Sequence, residues 1–312
     1  MPRSRTEPQT TPAGDGTGSV GPTGDVPGPP PAFSPALLDV LWCPLCHGGL
    51  GPAGRSLRCA GRHTFDIARQ GYVSLLTGKQ APSADTAGMV EARAGFLAAG
   101  HYTRAARWLA GAVAPLCPAD GVVLDAGTGT GHYLAAVLDA VPGAVGLGVD
   151  ASKYAVRRAA RAHPRAAAAV ADVWQPLPVR TGSVDLLLNV FAPRHPAEFR
   201  RVLRPGGVLA VVTPTPRHLA EAREAMGLLE VDPAKEARLE RAFSSAFRPD
   251  GPHTAAECEY PVSLSAAQLE QLVLMGPTAH HRSPEEVRDR VARMRTPLTV
   301  TVSFRLSVHR PR

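Results

Sequence analysis

The chain reads as an α/β protein: a doubly wound, mostly parallel sheet preceded by a small metal-stapled ribbon. Three observations predict this. From Val122 to Thr213, short apolar runs alternate with segments of helical spacing, the pattern of β-α-β units. The first run ends in a glycine-rich turn, VVLDAGTGTGHYL (122–134), with glycines at 127, 129 and 131. Ahead of it, Cys43, Cys46, Cys59 and His63 follow the spacing C-x2-C-x12-C-x3-H.

The glycine turn reads as strand, tight turn and helix N-terminus. Gly127, Gly129 and Gly131 let the backbone bend sharply and let a ligand approach without meeting a Cβ. Asp150 closes the next apolar run, AVGLGVD, 19 residues past Gly131. An acidic side chain at that point of a doubly wound sheet can take two ribose hydroxyls. The spacing D-x-G-x-G-x-G puts Asp125 inside the turn. A pyrophosphate prefers a bare helix N-terminus, so Asp125 argues for a ligand without phosphate. S-adenosylmethionine, with a sulfonium, an ammonium and no phosphate, fits. A nicotinamide dinucleotide and a purely structural turn are the alternatives.

With 312 residues the chain can bury a sizeable core. Its net charge of +7 points weakly to a polyanionic partner. Lysine occurs only at 79, 153 and 235, so nearly every cation is arginine, which suits bidentate phosphate contacts. Codon bias explains the same excess, since Ala, Gly and Pro are also abundant. The five cysteines form no disulfide framework, and no apolar run reaches membrane-spanning length. The N-terminus has no hydrophobic signal core, so a cytoplasmic protein with reduced thiols is expected.

Residues 1–35 hold nine Pro and six Gly with almost nothing apolar, and read as a disordered tail. Residues 36–77 form the ribbon, two knuckles bridged by a short hairpin. Four soft or borderline ligands suit a closed tetrahedral zinc site, which leaves no position for catalysis and makes the metal structural. A segment this small lacks its own core, so the metal is expected to hold it together. A redox C-x-x-C and His47 as the fourth ligand remain open. Arg55, Arg58, Arg62 and Arg69, beside Phe65 and Tyr72, offer phosphate contacts and base stacking; the alternative is solvated arginines and core aromatics.

Residues 78–117 read as linker and lid: a loop to 88, a helix from Met89 to Leu97, a break at Gly100-His101-Tyr102 and a helix from Thr103 to Val113. The domain from 118 to 312 then alternates strand 122–126, helix 131–140, strand 145–149, a Ser152-capped helix to Ala162, strand 167–171, strand 184–190, helix 196–203 and strand 208–213. The segment from 233 reads as helix, strand, helix (266–275), helix (284–294) and a final strand (298–308), which completes a seven-stranded sheet with a reversed last strand.

Asp125, Asp150, Asp172 and Asn189 all fall at carboxyl ends of strands, where ligands bind in such sheets. Asp172 suits the adenine amine or a helix cap. Asn189 and Phe191, in Asn-Val-Phe-Ala-Pro, occupy the place where this fold sets a methyl acceptor against the sulfonium, or else pack. His218, in Thr-Pro-Thr-Pro-Arg-His, can touch the cofactor or act as a base.

Taken together, CPLCHGGL, RCAGRHTFDIARQGYVSLL, MVEARAGFLAAGHY, the glycine loop, NVFAPRHPAEFRRVLRPGG and TPTPRHLAE resemble the 23S rRNA guanine-N(1) methyltransferases that carry an N-terminal zinc ribbon. AVADVW, NVFAP and MGP are similar to the macrolide-resistance branch, the tylosin- and mycinamicin-type enzymes. The resemblance implies a Rossmann-like class I S-adenosylmethionine-dependent methyltransferase fold. It implies Cys43, Cys46, Cys59 and His63 as zinc ligands, and Tyr102, Gly131, His132 and His218 at the cofactor beside Asp150. It implies one guanine in a 23S rRNA hairpin near the peptide exit tunnel as substrate. One departure is the loop Asp-Ala-Gly-Thr-Gly-Thr-Gly, where relatives often carry Ile second.

Neutral guanine holds a proton on N(1), and a hairpin base must leave its stack to reach a pocket. The ribbon and the lid helices are expected to grip the RNA and deliver the base to Asn189–Pro193, with His195 and Asp172 as candidate bases and water as an equal route. A homodimer is open. The rivals are a small-molecule methyltransferase, which needs neither ribbon nor arginine surface, and a non-catalytic RNA-binding module, which needs no glycine loop.

Overall fold

The computed structural model describes residues 33–78, 84–227, 243–250 and 255–312. The expected disorder before residue 33 and the expected helix after 233 lie outside them. Of the residues expected in the tail, Phe33 is buried and Ser34 caps the Pro35–Val40 helix through its hydroxyl.

Four short strands build the N-terminal part, β1 (Leu50–Ala53), β2 (Ser56–Cys59), β3 (Thr64–Asp66) and β4 (Val73–Ser74). The first three form an antiparallel ribbon. β5 (Val122–Ala126), β6 (Val145–Asp150), β7 (Ala166–Val170), β8 (Val184–Val190) and β9 (Leu203–Pro214) follow, then β10 (Phe247–Pro249), β11 (Ala255–Leu264) and β12 (Leu298–Pro311). Among the described residues, one nine-stranded sheet runs in the order β10-β12-β9-β8-β5-β6-β7-β4, with β11 also paired to β12. The pairs from β7 to β9 are parallel and β12 is reversed against β9. The expected seven strands are therefore present, extended by two short edge strands, β4 beside β7 and β10 beside β12.

Chain order reverses direction at β5, which lies between β6 and β8. A crevice opens at the carboxyl ends of the strands at such a switch point. Alternate residues of each strand feed opposite faces, as a period of two requires. Val123, Leu186, Leu188, Val208 and Ala210 join one core with the helices Thr103–Val113, His132–Ala140 and Ala266–Leu274. Val122, Leu124, Leu187, Leu209 and Val211 join the other.

The ribbon, expected to lack a core of its own, shares that second core with the sheet. Leu37, Leu41, Leu50, Leu57, Ile67 and Val73 are part of it, so the ribbon and the first helix cover one face of the sheet. Trp42 fastens the join. Its indole Nε1 donates to the Leu177 carbonyl at 3.0 Å, and the Arg201 guanidinium lies 4.5 Å from its ring centroid. Arg201 in turn forks onto Glu198. Phe65 packs on the same core, and Tyr72 packs against Val156 and Ala159, so for both aromatics the core reading holds.

Boundary differences elsewhere are local. The helix expected as a lid starts at Ala87, where the Thr86 hydroxyl accepts from Met89 N, and ends at Ala98. The Ser152-capped helix stops at Ala159 and continues as turns. β9 begins at Leu203 because that residue already pairs with Val184 before the Arg-Pro-Gly-Gly bulge.

Candidate active site and metal centre

The glycine turn leaves β5 with Gly127, Gly129 and Gly131 all at positive φ, +85°, +55° and +82°. Two of them also have a tertiary reason. A Cβ on Gly127 would overlap the Cβ of Ala192 in the loop after β8. One on Gly131 would sit 2.7 Å from the Cβ of Ala162, so glycine lets the His132–Ala140 helix approach its neighbour.

Asp125 is buried at the base of this turn. Its Oδ2 accepts from the Thr128 hydroxyl at 2.8 Å, while Oδ1 is buried with no hydrogen-bond partner among the described residues. Burial, opposed by the Thr128 bond and reinforced by Asp150, pushes its carboxyl up to about 7. An unpartnered, reluctantly ionised carboxylate is a site for a cation. Asp150, at the end of β6, accepts from Gly129 N at 2.9 Å and from Ser152 N at 2.8 Å, which fixes both oxygens beside the glycine loop. Burial raises its pKa as well, against those two backbone bonds. Each oxygen keeps a lone pair for the two hydroxyls of a ribose. Asp172 lies two residues past the end of β7 and accepts from Trp174 N at 3.0 Å, leaving Trp174 half exposed beside it.

Asn189 ends β8 fully buried. Its Nδ2 donates to the carbonyls of Ala126 and Pro193, at 3.1 and 2.9 Å, which ties the loop 189–193 to the end of β5. Its Oδ1 is left without a partner. Phe191 in that loop is 42% exposed and held at φ +54°, a left-handed conformation that non-glycine residues seldom adopt. Strain of this kind persists where the surroundings overdetermine it, commonly at functional sites.

The surroundings are an aromatic wall. Phe191 lies 4.7 Å from Phe304 and parallel to His218 at 6.3 Å, centroid to centroid. The Tyr102 hydroxyl pairs with His218 Nε2 at 3.3 Å, and His218 Nδ1 accepts from Ser303 N at 3.2 Å. With Nδ1 accepting, the proton of the neutral ring sits on Nε2 and is donated to Tyr102. Burial, helped by the charge of Arg223, lowers the His218 pKa to about 3. His218 is thus a neutral spacer at physiological pH, and the alternative of a base loses its basis. Burial also keeps Tyr102 un-ionised and lowers the His132 pKa.

His195 is the expected residue that the structure uses elsewhere. It caps the Pro196–Val202 helix, its Nδ1 accepting from Glu198 N at 3.1 Å. The cleft also contains residues the sequence reading did not name: Thr128, Tyr133 with a buried unpartnered hydroxyl, Phe304, and Arg93 from the lid helix. A signal existed for Arg93. It falls three or four residues from Met89, Val90 and Phe96, the buried residues of its helix, and so shares their face.

In the ribbon, the donor atoms of Cys43, Cys46, Cys59 and His63 all lie within 4.8 Å of one another. Cys46 Sγ is 3.6 Å from Cys59 Sγ, and His63 Nδ1 is 3.4 Å from the sulfurs of Cys43 and Cys59. A tetrahedron with zinc bonds of roughly 2.3 Å to sulfur and 2.0–2.1 Å to nitrogen has edges of about 3.5–3.8 Å, so the donors fit that ion. His47 is excluded as the fourth ligand, since its ring stacks on Trp42 at 4.4 Å. Arg55, Arg58, Arg62 and Arg69 stand exposed on this ribbon, and Leu45 projects from the first knuckle. No helix among the described residues is long and apolar enough to cross a membrane.

Comparison with known proteins agrees with both halves. The RlmA N-terminal zinc ribbon matches residues 41–83, and a methyltransferase domain matches 123–207. A Micromonospora griseorubida protein provisionally named a 23S rRNA (guanine-N(1)-)-methyltransferase is 50% identical over 89% of this chain and 99% of its own. The 23S rRNA (guanine(748)-N(1))-methyltransferase of Streptomyces fradiae is 48% identical over 88% and 98%. A Bacillus subtilis protein with the same provisional name as the first is 32% identical over 76% and 86%. S-adenosylmethionine and zinc are accordingly the groups that the cleft and the ribbon take. The chain belongs to the family of 23S rRNA (guanine-N(1))-methyltransferases that carry an RlmA-type N-terminal zinc ribbon.

Proposed function

We propose that the chain methylates N(1) of a guanine in a hairpin loop of 23S rRNA, the counterpart of the position for which the Streptomyces fradiae relative is named. What carries the reading is the fusion, in one folded unit, of a glycine-loop cleft with a Cys3His ribbon bearing exposed arginines. A small-molecule acceptor would leave that arginine surface without a purpose.

S-adenosylmethionine supplies an electrophilic methyl, whose bond to sulfur breaks as the bond to N(1) forms, with loss of the N(1) proton. The protein's part is to position. Asp150 holds the ribose, Asp125 faces the ammonium, and Tyr102, Gly131, His132 and His218 line the cofactor; Asp172 accepts from the adenine amine. Phe191 offers its exposed face to the extruded guanine, and Asn189 Oδ1 is the acceptor nearest the loop for an N–H of that base. The proton leaves to water, since Asp172 takes the adenine amine and His195 Nδ1 caps the Pro196–Val202 helix by accepting from Glu198 N. In-line placement at about 3 Å supplies most of the achievable gain. The ribbon arginines meet phosphate, so RNA affinity falls steeply with salt. An rRNA substrate sets the reaction in the cytoplasm.

Primer extension on 23S rRNA from cells with and without the gene tests the function, because a methyl on N(1) blocks pairing and halts the polymerase. A stop at one guanine that depends on the gene is expected; identical traces would refute the assignment. Growth of the same cells on a tylosin-type macrolide reads out resistance, and light scattering of the purified chain reads out a homodimer.

A further inference from the structure

The cleft accounts for the ribose and the ammonium of the cofactor, but the methionine end also carries a carboxylate. Asp85, Asp125 and Asp150 are grouped around the glycine loop, and both histidines nearby are disfavoured as cations. A carboxylate entering such a cleft meets like charge unless a cation is present.

Arg93 is that cation. Its Nη1 would stand 3.5 Å from a Cβ on Gly129, so the guanidinium lies over the middle of the glycine loop. It is charge-coupled to Asp150 and to the buried Tyr133. Two anchors orient it: Nη1 donates to Asp85 Oδ2, and Nη2 donates to the Met275 carbonyl at 2.8 Å. Asp85 is itself held, its carbonyl accepting from the Ser152 hydroxyl at 2.7 Å, while Ser152 N donates to Asp150. An open chain of bonds thus runs Asp150–Ser152–Asp85–Arg93 along the rim. A guanidinium has five N–H groups in a planar fork. With Nη1 and Nη2 each using one, three N–H groups remain for a second carboxylate.

We propose that Arg93 binds the carboxylate of S-adenosylmethionine, with Asp85 as its positioning partner. The inference rests on the cofactor cleft being as described above. Because Arg93 rides on the Ala87–Ala98 lid helix and is tied to Met275, capture of the carboxylate also fastens the lid and the segment after the Ala266–Leu274 helix over the glycine loop.

The test is calorimetric titration of the full-length wild type and of Arg93→Gln with two ligands, S-adenosylmethionine and its decarboxylated analogue. Charge-assisted bonds lost from an arginine–carboxylate pair predict that the wild type binds the analogue roughly 10- to 150-fold more weakly. Arg93→Gln should bind both ligands alike, at about the affinity of the wild type for the analogue, and Arg93→Lys should recover part of the difference. Full wild-type discrimination in Arg93→Gln would overturn the assignment. So would an equal loss for both ligands, which marks a merely structural arginine. If the wild type binds neither ligand, the cofactor cleft itself is misassigned, an outcome distinct from both.

Discussion

Replacing Gly127 by alanine separates the two demands this position meets. The first is conformational: at φ +85° an L-residue costs roughly 1–2 kcal/mol relative to glycine. The second is steric, since the new Cβ would overlap Ala192 in the loop carrying Asn189 and Phe191. Forcing an extra methyl into packed surroundings costs about 1–3 kcal/mol. Gly127→Ala should therefore lose about 2–5 kcal/mol in denaturant unfolding. Gly206 is the control, at φ +83° with no heavy atom within 4 Å of a Cβ, so Gly206→Ala should lose only the first part, about 1–2 kcal/mol. Adding Ala192→Gly to Gly127→Ala removes the overlap and should restore the difference. Turnover follows the steric part, because a shift of about 1 Å in the acceptor loop costs on the order of a hundredfold. The reasoning fails if Gly127→Ala matches Gly206→Ala in stability and the wild type in turnover, or if Ala192→Gly rescues neither.

The other predictions concern charge, metal and the acceptor loop. Asp125 in the empty protein has its pKa raised from 3.8 to about 7, so the folded state resists its ionisation. Stability of the empty protein should fall as pH rises from about 4 to about 7 and then level off, and Asp125→Asn should flatten that slope while raising the melting temperature at pH 8. Affinity for the cofactor should run the other way, weakening as pH drops below about 7, and a pH-independent affinity would remove Asp125 from the site. Stripping zinc should lower a single unfolding transition of the whole chain, because Leu50 and Leu57 of the ribbon share a core with the sheet; an independent low-temperature transition seen by calorimetry would contradict that sharing. Phe191→Ala should cut rRNA methylation at least tenfold with cofactor affinity within twofold of wild type, and equal losses in both would make Phe191 a wall of the cofactor pocket instead.

Much of the site was legible because its signals are local. The turn from Asp125 to Gly131 is dictated by backbone geometry within a few residues, and the spacing of Cys43, Cys46, Cys59 and His63 is a property of two short knuckles. The alternation of apolar runs placed Asp150 and Asn189 at strand ends for the same reason: periods of two and 3.6 are written into neighbouring residues. No such period links Tyr102 to His218 and Phe304, or Arg93 to Gly129 and Met275, since those pairs are far apart in sequence and meet only when the sheet is assembled. Spacing favoured His63 over His47 without excluding the latter; the grouping of His63 with the three cysteines, and the stacking of His47 on Trp42, settled it. The ribbon looked like a module that metal alone must hold. Only the tertiary structure lays its apolar side, with Leu41, Leu57 and Val73, on one face of the sheet, because the sheet strands are buried on both faces and that face had to be covered by something.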